Sequence, residues 1–330
     1  MSDDRIEIEV HLTPEMRRED LRREVRAGFE RDPREIPPKY FYDAHGSALF
    51  EEITKLPEYY LTRVETRMLR ALAPQLAQRL GSSELLELGS GYSTKTEILL
   101  DALRETGRLQ RYLAVDVSES SLRIAGERLM ARYPGLQVHG VVADFTHQLD
   151  RLPKGGPRLV AFLGSTIGNF APEEARQFLT ALASTLGPDD AFLLGTDLIK
   201  DLNLMEDAYN DHDGITAEFN RNILSVLNDE LGAGFQPEQF EHVAFYDDLN
   251  CWIEMRLRSK QHVVLRVFAL DDERPYILSL ERGEEIRTEI SCKYTRESVE
   301  ALLESAGLEL CEWHTEADPY FALSLSRLAR

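Results

Sequence analysis

The chain has 330 residues and a formal net charge of -20, which allows one large domain or two moderate ones and disfavours phosphate backbones and anionic membranes as partners. With 43% hydrophobic residues it can bury a substantial core, which sets disorder aside. Cys251, Cys292 and Cys311 are odd in number and far apart, so they form no disulfide framework and fit a reducing cytoplasm.

The opening residues, Met1-Ser2-Asp3-Asp4-Arg5, are polar and acidic with no apolar segment behind them, so a cytoplasmic location is expected. No apolar run approaches the roughly 20 residues of a membrane span. Residues 1–63 have a loop-like centre, Asp32-Pro33 to Ile36-Pro37-Pro38, and are expected to pack on a later insertion. Over residues 84–200, strand patterns at 85–88, 112–115, 137–142, 159–163 and 191–195 alternate with helical ones. The helical patterns include 94–103, 121–133 and 173–186. Such alternation predicts a parallel, doubly wound sheet. Helical patterns at 204–208 and 215–231 follow. Strand-like runs at 242–245, 251–257, 262–268, 276–279 and 287–290 then succeed one another without helices, which predicts an antiparallel sheet. A helix at 298–306 ends at Gly307, and strands at 308–313 and 320–325 read as the antiparallel edge of the first sheet. The expected fold is therefore a mostly parallel Rossmann-like α/β sheet with an inserted second α+β domain. We expect residues 64–200 and 293–330 to bind a cofactor, and residues 1–63 and 201–292 to bind a substrate.

Ligands of such sheets bind at the carboxyl ends of the strands, near the switch point. Four features fall there. Glu87-Leu88-Gly89-Ser90-Gly91 is a tight turn between a strand and a helix, where glycines let the backbone approach a ligand and the helix start offers free N–H groups. The third glycine of a dinucleotide fingerprint would fall at Thr94, so that fingerprint is incomplete. Asp116 ends the second strand, where a carboxylate can accept hydrogen bonds from ribose hydroxyls. Asp144-Phe145 ends the third, suited to an adenine amino group and its ring. The loop from Gly164 to Asn169 ends the fourth. Taken singly, each has a plainer reading: a turn, a helix cap, or for Asn169 a cap before Pro172. Their order at successive strand ends points to a nucleoside-containing cofactor. The eight histidines are scattered, so no metal is expected, and no G-x-S-x-G motif supports a serine hydrolase.

Several longer strings resemble one family. They are Pro38-Lys39-Tyr40-Phe41-Tyr42-Asp43, Leu56-Pro57-Glu58-Tyr59-Tyr60-Leu61-Thr62-Arg63, residues 87–91, 163–169 and 194–197, Gly214 to Asn222, Ile253-Glu254-Met255, and Thr288-Glu289-Ile290-Ser291-Cys292-Lys293. From about residue 20 onward the chain is similar to the L-histidine Nα-methyltransferases of ergothioneine biosynthesis. The resemblance implies an enzyme that moves three methyl groups from S-adenosylmethionine to the α-amine of histidine, giving hercynine, with a second domain closing over the amino acid. Composition and motifs lead us to expect a monomer with no metal, no nucleic acid and no membrane partner. The resemblance assigns cofactor contacts to Gly89, Lys95, Asp116, Asp144 and Phe145, and the histidine carboxylate to Asn169 and Tyr209. Tyr59, Glu289 and Ser291 surround the imidazole, Met255 lines that pocket, and Tyr42 and Gly164 lie near the amine. Departures are modest: Tyr92-Ser93-Thr94 replaces Thr-Ser-Glu, Leu61 replaces Pro, and the stretch before Glu289 is longer.

The chemistry fits those residues. Methyl transfer needs a neutral amine held in line with a sulfonium carbon. The Tyr42 hydroxyl and solvent are expected to take the amine proton. Glu289 and Ser291 share one side of a strand and can bond imidazole nitrogens. Lys95 sits against the helix dipole, which a cofactor carboxylate would explain. The plainer alternatives are a solvated Glu289, a surface Lys95, a core Met255 and tyrosines that anchor an interface. Other readings are α-N-methylation of a different aromatic amino acid, or a dinucleotide-binding dehydrogenase or sensor.

Overall fold

The structure is a computed structural model that describes residues 6–93, 95–267 and 276–329. Thr94 and Phe268, used in the sequence reading, lie outside the described residues, as do Met1 to Arg5. The described residues divide into two compact units. One lies within Met1–Leu12, Leu61–Ile199 and Tyr294–Arg330, the other within Thr13–Tyr60 and Lys200–Lys293.

The chain begins with β1 (Glu7–Val10), α1 (Pro14–Phe29), β2 (Arg34–Glu35), α2 (Ala44–Ile53) and α3 (Tyr60–Leu80). An alternating stretch follows: β3 (Glu84–Leu88), α4 (Thr96–Glu105), β4 (Arg111–Asp116), α5 (Glu119–Arg132), β5 (Gln137–Val142), β6 (Arg158–Phe162), α6 (Pro172–Ala183) and β7 (Ala191–Asp197). Next come α7 (Leu202–Asp207), α8 (Ile215–Leu231), β8 (Phe240–Asp247), β9 (Trp252–Ser259), β10 (Val263–Val267), β11 (Tyr276–Leu280) and β12 (Glu285–Cys292). The last elements are α9 (Arg296–Ser305), β13 (Leu308–Thr315) and β14 (Phe321–Leu328).

The first unit is built on an eight-stranded sheet of order β1-β5-β4-β3-β6-β7-β14-β13. The pairs from β1 to β7 are parallel, and β14 and β13 close the far edge antiparallel. Every residue of β3, β6 and β7 is buried, which is why these strands read as near-continuous apolar runs. The chain leaves β3 toward β4 and β5, then returns to β3's other side through β6. The strand order therefore reverses at β3, and the loops after β3 and β6 flank the switch point. This is the doubly wound Rossmann-like α/β fold.

Residues 1–63, expected together from the sequence, divide between the two units. Glu7–Val10 do not belong with residues 13–60: they pair in parallel with β5, and His11 and Leu12 donate to the Val142 carbonyl. A four-residue edge strand with two glutamates carries little strand signal, because natural edges are short and charged.

In the second unit β2-β12-β9-β8 form one sheet and β10-β11 another. The single antiparallel sheet expected from the sequence is thus two sheets, and β2 joins the larger one in parallel over two residues. Asp43 caps α2 by accepting the Gly46 N–H at 2.7 Å, and Thr295 caps α9 by accepting the Ser298 N–H at 3.2 Å. Among the described residues no helix is long and apolar enough to cross a membrane.

Gly46 packs in the first turn of α2 directly against the Phe41 carbonyl oxygen, which a Cβ there would overlap. We expect Gly46→Ala to lower stability by about 1–3 kcal/mol, as overpacking does, read as a drop in Tm. An unchanged melt would show that the Pro38–Phe41 turn moves aside freely.

Candidate active site

In the first unit the site grows from the end of β3. Gly89 and Gly91 have φ of 67° and 49°, the left-handed region that glycine enters without strain. The Gly89 N–H donates to the Val115 carbonyl at 2.8 Å, and the Gly91 N–H donates to Asp116 Oδ2 at 2.8 Å. Asp116 Oδ1 accepts the Ser118 N–H at 2.9 Å, so this one carboxylate braces the loops after both β3 and β4. A Cβ on Gly91 would meet nothing within 4 Å, while one on Gly89 would lie 3.7 Å from the Phe145 ring. The glycine loop thus opens onto space and has an aromatic face beside it, which suits a nucleoside. Phe145 is held edge-on by Phe162 and Phe178, with centroids at 5.5 and 5.9 Å. Asp144 accepts from the Thr146 N–H at 2.9 Å and from the Thr146 hydroxyl.

The acidic residue of the glycine motif has a different task. Glu87 is buried, accepts from the Tyr112 hydroxyl at 2.7 Å and from the Thr96 hydroxyl, and so ties β3 to β4 and α4. Burial pushes its carboxyl up to about 7, against the pull of those hydrogen bonds.

The loop after β6 is held by a residue that the sequence reading missed. Glu65 on α3 is fully buried; Oε1 accepts the Gly164 N–H at 2.7 Å and Oε2 pairs with Lys95. The position of Lys95 at the start of α4 is therefore explained by a protein carboxylate. Gly164 and Ser165 have φ of 77° and 58°, and the Ser165 hydroxyl accepts the Asp197 N–H at 2.9 Å. Asn169 ends the Thr166–Asn169 turn but does not cap α6, whose N-cap is Ala171 with its N–H donated to Glu174. The plainer reading of Asn169 is removed. Gly89, Lys95, Asp116, Asp144, Phe145, Gly164 and Asn169 all belong to this unit.

The second unit gathers the rest. Tyr42 packs edge-on to Phe50 and Phe219, Phe50 to Tyr59, and Tyr59 to Tyr209, at centroid distances of 5.6 to 6.5 Å. The Tyr209 hydroxyl donates to Ser291 Oγ at 2.7 Å. Met255 on β9 is the register partner of Glu289 on β12, so their side chains sit next to each other on one face. Tyr209, assigned by resemblance to a carboxylate, and Ser291, assigned to an imidazole, are thus one hydrogen-bonded cluster.

Two further groups of this cluster went unread. Lys293 donates to Ser291 Oγ at 2.8 Å and to the Tyr209 hydroxyl at 3.0 Å. Its signal was present in the sequence: Glu289, Ser291 and Lys293 stand at every second position. The other group is a chain of side chains in which Thr288 and Asn220 are buried and His242 is half-buried. Thr288 donates to Asn220 Oδ1 at 2.6 Å, the Asn220 amide donates to His242 Nδ1 at 2.8 Å, and His242 Nε2 donates to the Tyr209 carbonyl at 2.9 Å. This tautomer follows from the partners, and burial holds His242 below its ordinary value. It explains why Asn220, inside the Gly214 to Asn222 string, is fully buried on a helix.

Glu289 decides the character of the pocket. It is buried and has no hydrogen-bond partner among the described residues. Burial drives its carboxyl up to about 8, partly opposed by Lys293. A buried, unbonded acid beside a hydroxyl, a cation and a methionine is a costly arrangement for structure alone and suits a polar ring with an N–H.

A profile described as "Histidine-specific methyltransferase, SAM-dependent" matches residues 21–328. The chain belongs to this methyltransferase family. The Histidine N-alpha-methyltransferase of Mycolicibacterium smegmatis is 47% identical over 316 residues, covering 96% of this chain and 97% of that protein. The protein of the same name from Mycobacterium tuberculosis is 44% identical over 322 residues, covering 98% and 99%. Ergothioneine biosynthesis protein 1 of Neurospora crassa is 32% identical over 304 residues, 85% of this chain but 32% of its own length. Membership removes the dehydrogenase and sensor readings, and S-adenosylmethionine is the family's methyl donor.

A titration follows from Glu289. The folded chain raises this acid from an ordinary 4.5 to about 8, so it favours the neutral form. The associated stability is complete below the ordinary value and is lost as pH rises through about 8. Without added amino acid, Glu289→Gln should therefore melt higher than wild type at alkaline pH. The gap should shrink toward acid by at most about 1.4 kcal/mol per pH unit. A gap independent of pH would show that Glu289 is not held neutral.

Proposed function

We propose that this chain transfers methyl groups from S-adenosylmethionine to the α-amine of L-histidine, three in succession, to give hercynine for ergothioneine biosynthesis. Family membership and the near-full-length likeness to two histidine N-alpha-methyltransferases support the reaction. The observation that carries the substrate is Glu289, buried, unbonded among the described residues and paired in register with Met255.

In this reading residues 64–200 and 293–330 form the cofactor-binding part. Gly89, Lys95, Asp116, Asp144 and Phe145 hold S-adenosylmethionine, which supplies an electrophilic methyl on a sulfonium sulfur. The second unit holds the amino acid, with Tyr59, Glu289 and Ser291 at the imidazole and Met255 against its face. Asn169 takes the carboxylate, while the Tyr209 hydroxyl, which the resemblance assigns to it too, gives its one proton to Ser291. The protein's main contribution is to present a neutral amine in line with the methyl. A free amino acid carries a protonated amine at neutral pH, so a proton must leave before each transfer. The Tyr42 hydroxyl, with solvent, relays it, and the Gly164 loop orients the nitrogen.

Incubating enzyme, S-adenosylmethionine and histidine should yield a product heavier by three methyl groups by mass spectrometry, with tryptophan and phenylalanine left unmodified. No mass change on histidine would refute the function. Tyr42→Phe should lower kcat and let mono- and dimethylated species accumulate while binding of S-adenosylhomocysteine is kept. Unchanged kcat and complete methylation would remove the relay.

A further inference from the structure

Two donors and one hydroxyl decide the polarity of the second unit's residue cluster. Glu289, Ser291 and Lys293 stand at alternate positions at the end of β12, so their side chains leave the backbone on one side. Lys293 Nζ donates to Ser291 Oγ at 2.8 Å, and the Tyr209 hydroxyl donates to the same oxygen at 2.7 Å. Lys293 also donates to the Tyr209 oxygen at 3.0 Å, which commits the tyrosine proton to Ser291. An ammonium group can only donate, and a serine oxygen has two acceptor lone pairs and one proton. Both lone pairs of Ser291 are therefore engaged. Its own proton points along the remaining tetrahedral direction and has no acceptor among the described residues, although Ser291 is 2% exposed. A buried donor in that state calls for an acceptor from a ligand.

We propose that Lys293 is a positioning residue that locks the Ser291 hydroxyl as a donor toward the ligand, so that the pocket requires an unprotonated ring nitrogen on its substrate. The inference deepens the histidine reading and rests on it. Glu289, with no hydrogen bond among the described residues, is left for the ring N–H. Imidazole offers both groups on one ring. Phenyl offers neither, and indole or pyrrole offers only the N–H. Lys293 would thus contribute to substrate choice through Ser291.

The test compares histidine with an alanine derivative carrying a pyrrole ring, which keeps the N–H and lacks the acceptor. Wild type should prefer histidine by roughly 10- to 100-fold in kcat/KM, the worth of one buried hydrogen bond. Ser291→Ala should abolish most of that preference, chiefly by raising KM for histidine, with S-adenosylhomocysteine binding unchanged. Lys293→Met should do the same, and the double variant should be no worse than the poorer single one, since both remove one device. If Lys293→Met does not fold, as judged by lost S-adenosylhomocysteine binding, Lys293→Gln takes its place, with a partial loss of preference expected. Multiplicative effects in the double variant, or a preference that survives Ser291→Ala, would overturn the inference. A wild-type enzyme that methylates the pyrrole compound as well as histidine would do so too. A wild-type enzyme inactive on histidine would refute the function itself.

Discussion

A carboxylate withdrawn from water must find cations or hydrogen-bond donors, and that demand organises both units. Among the described residues five glutamates are buried: Glu65, Glu84, Glu87, Glu254 and Glu289. Glu84 lies between Arg111 and Arg158 at 2.7 and 3.1 Å. Glu87 takes two hydroxyl donors, and Glu65 takes a backbone N–H and a lysine. Glu254 takes the Trp252 indole at 3.0 Å and the Arg256 guanidinium at 2.6 Å. Four meet cations or donors of the protein, and three of them, Glu65, Glu84 and Glu87, tie separate elements together. Glu289 alone of the five has neither an ion pair nor a side-chain hydrogen bond among the described residues, and it lies among the residues proposed to read the amino acid.

The satisfied acids also explain how a loop can be both glycine-rich and defined. The turn after β3 has positive φ at Gly89, Gly91 and Ser93, which leaves its backbone unusually free to vary. Asp116 removes that freedom by accepting the Gly91 N–H, and Ser93 is fixed through its hydroxyl contact with Tyr112 at 2.8 Å. In the same manner Glu65 fixes Gly164. A cofactor or amine would meet backbone groups already in place, which is how positioning lowers a barrier without a strong base.

In the second unit the same logic is one step removed. Thr288, Asn220 and His242 form a chain that ends on the Tyr209 carbonyl, while Lys293 and Ser291 hold the Tyr209 hydroxyl. Both ends of one tyrosine are therefore fixed by polar contacts in a setting where each unmade bond is expensive. Such a side chain has little freedom to adapt, which favours one ring chemistry over a family of aromatic substrates.

Much of this could be read from the sequence because it depends on local order. Short apolar runs alternating with helical patterns indicated the parallel strands, and Glu87 to Gly91, Asp116 and Asp144-Phe145 marked their carboxyl ends. Long strings such as Thr288 to Lys293 carried the family. What the sequence left open depends on contacts between distant residues. The Glu7–Val10 strand is too short and charged to announce itself until β5 offers it an edge. Glu65 meets Gly164 across 99 positions, and nothing near either residue foretells the pairing. Lys293 repeats the spacing of Glu289 and Ser291, yet only the folded chain shows its ammonium group on the Ser291 oxygen. Composition and periodicity determine which faces are buried. Only tertiary structure decides which buried polar groups find partners and which are left for a ligand, because hydrogen bonding depends on distance and direction that sequence spacing does not encode.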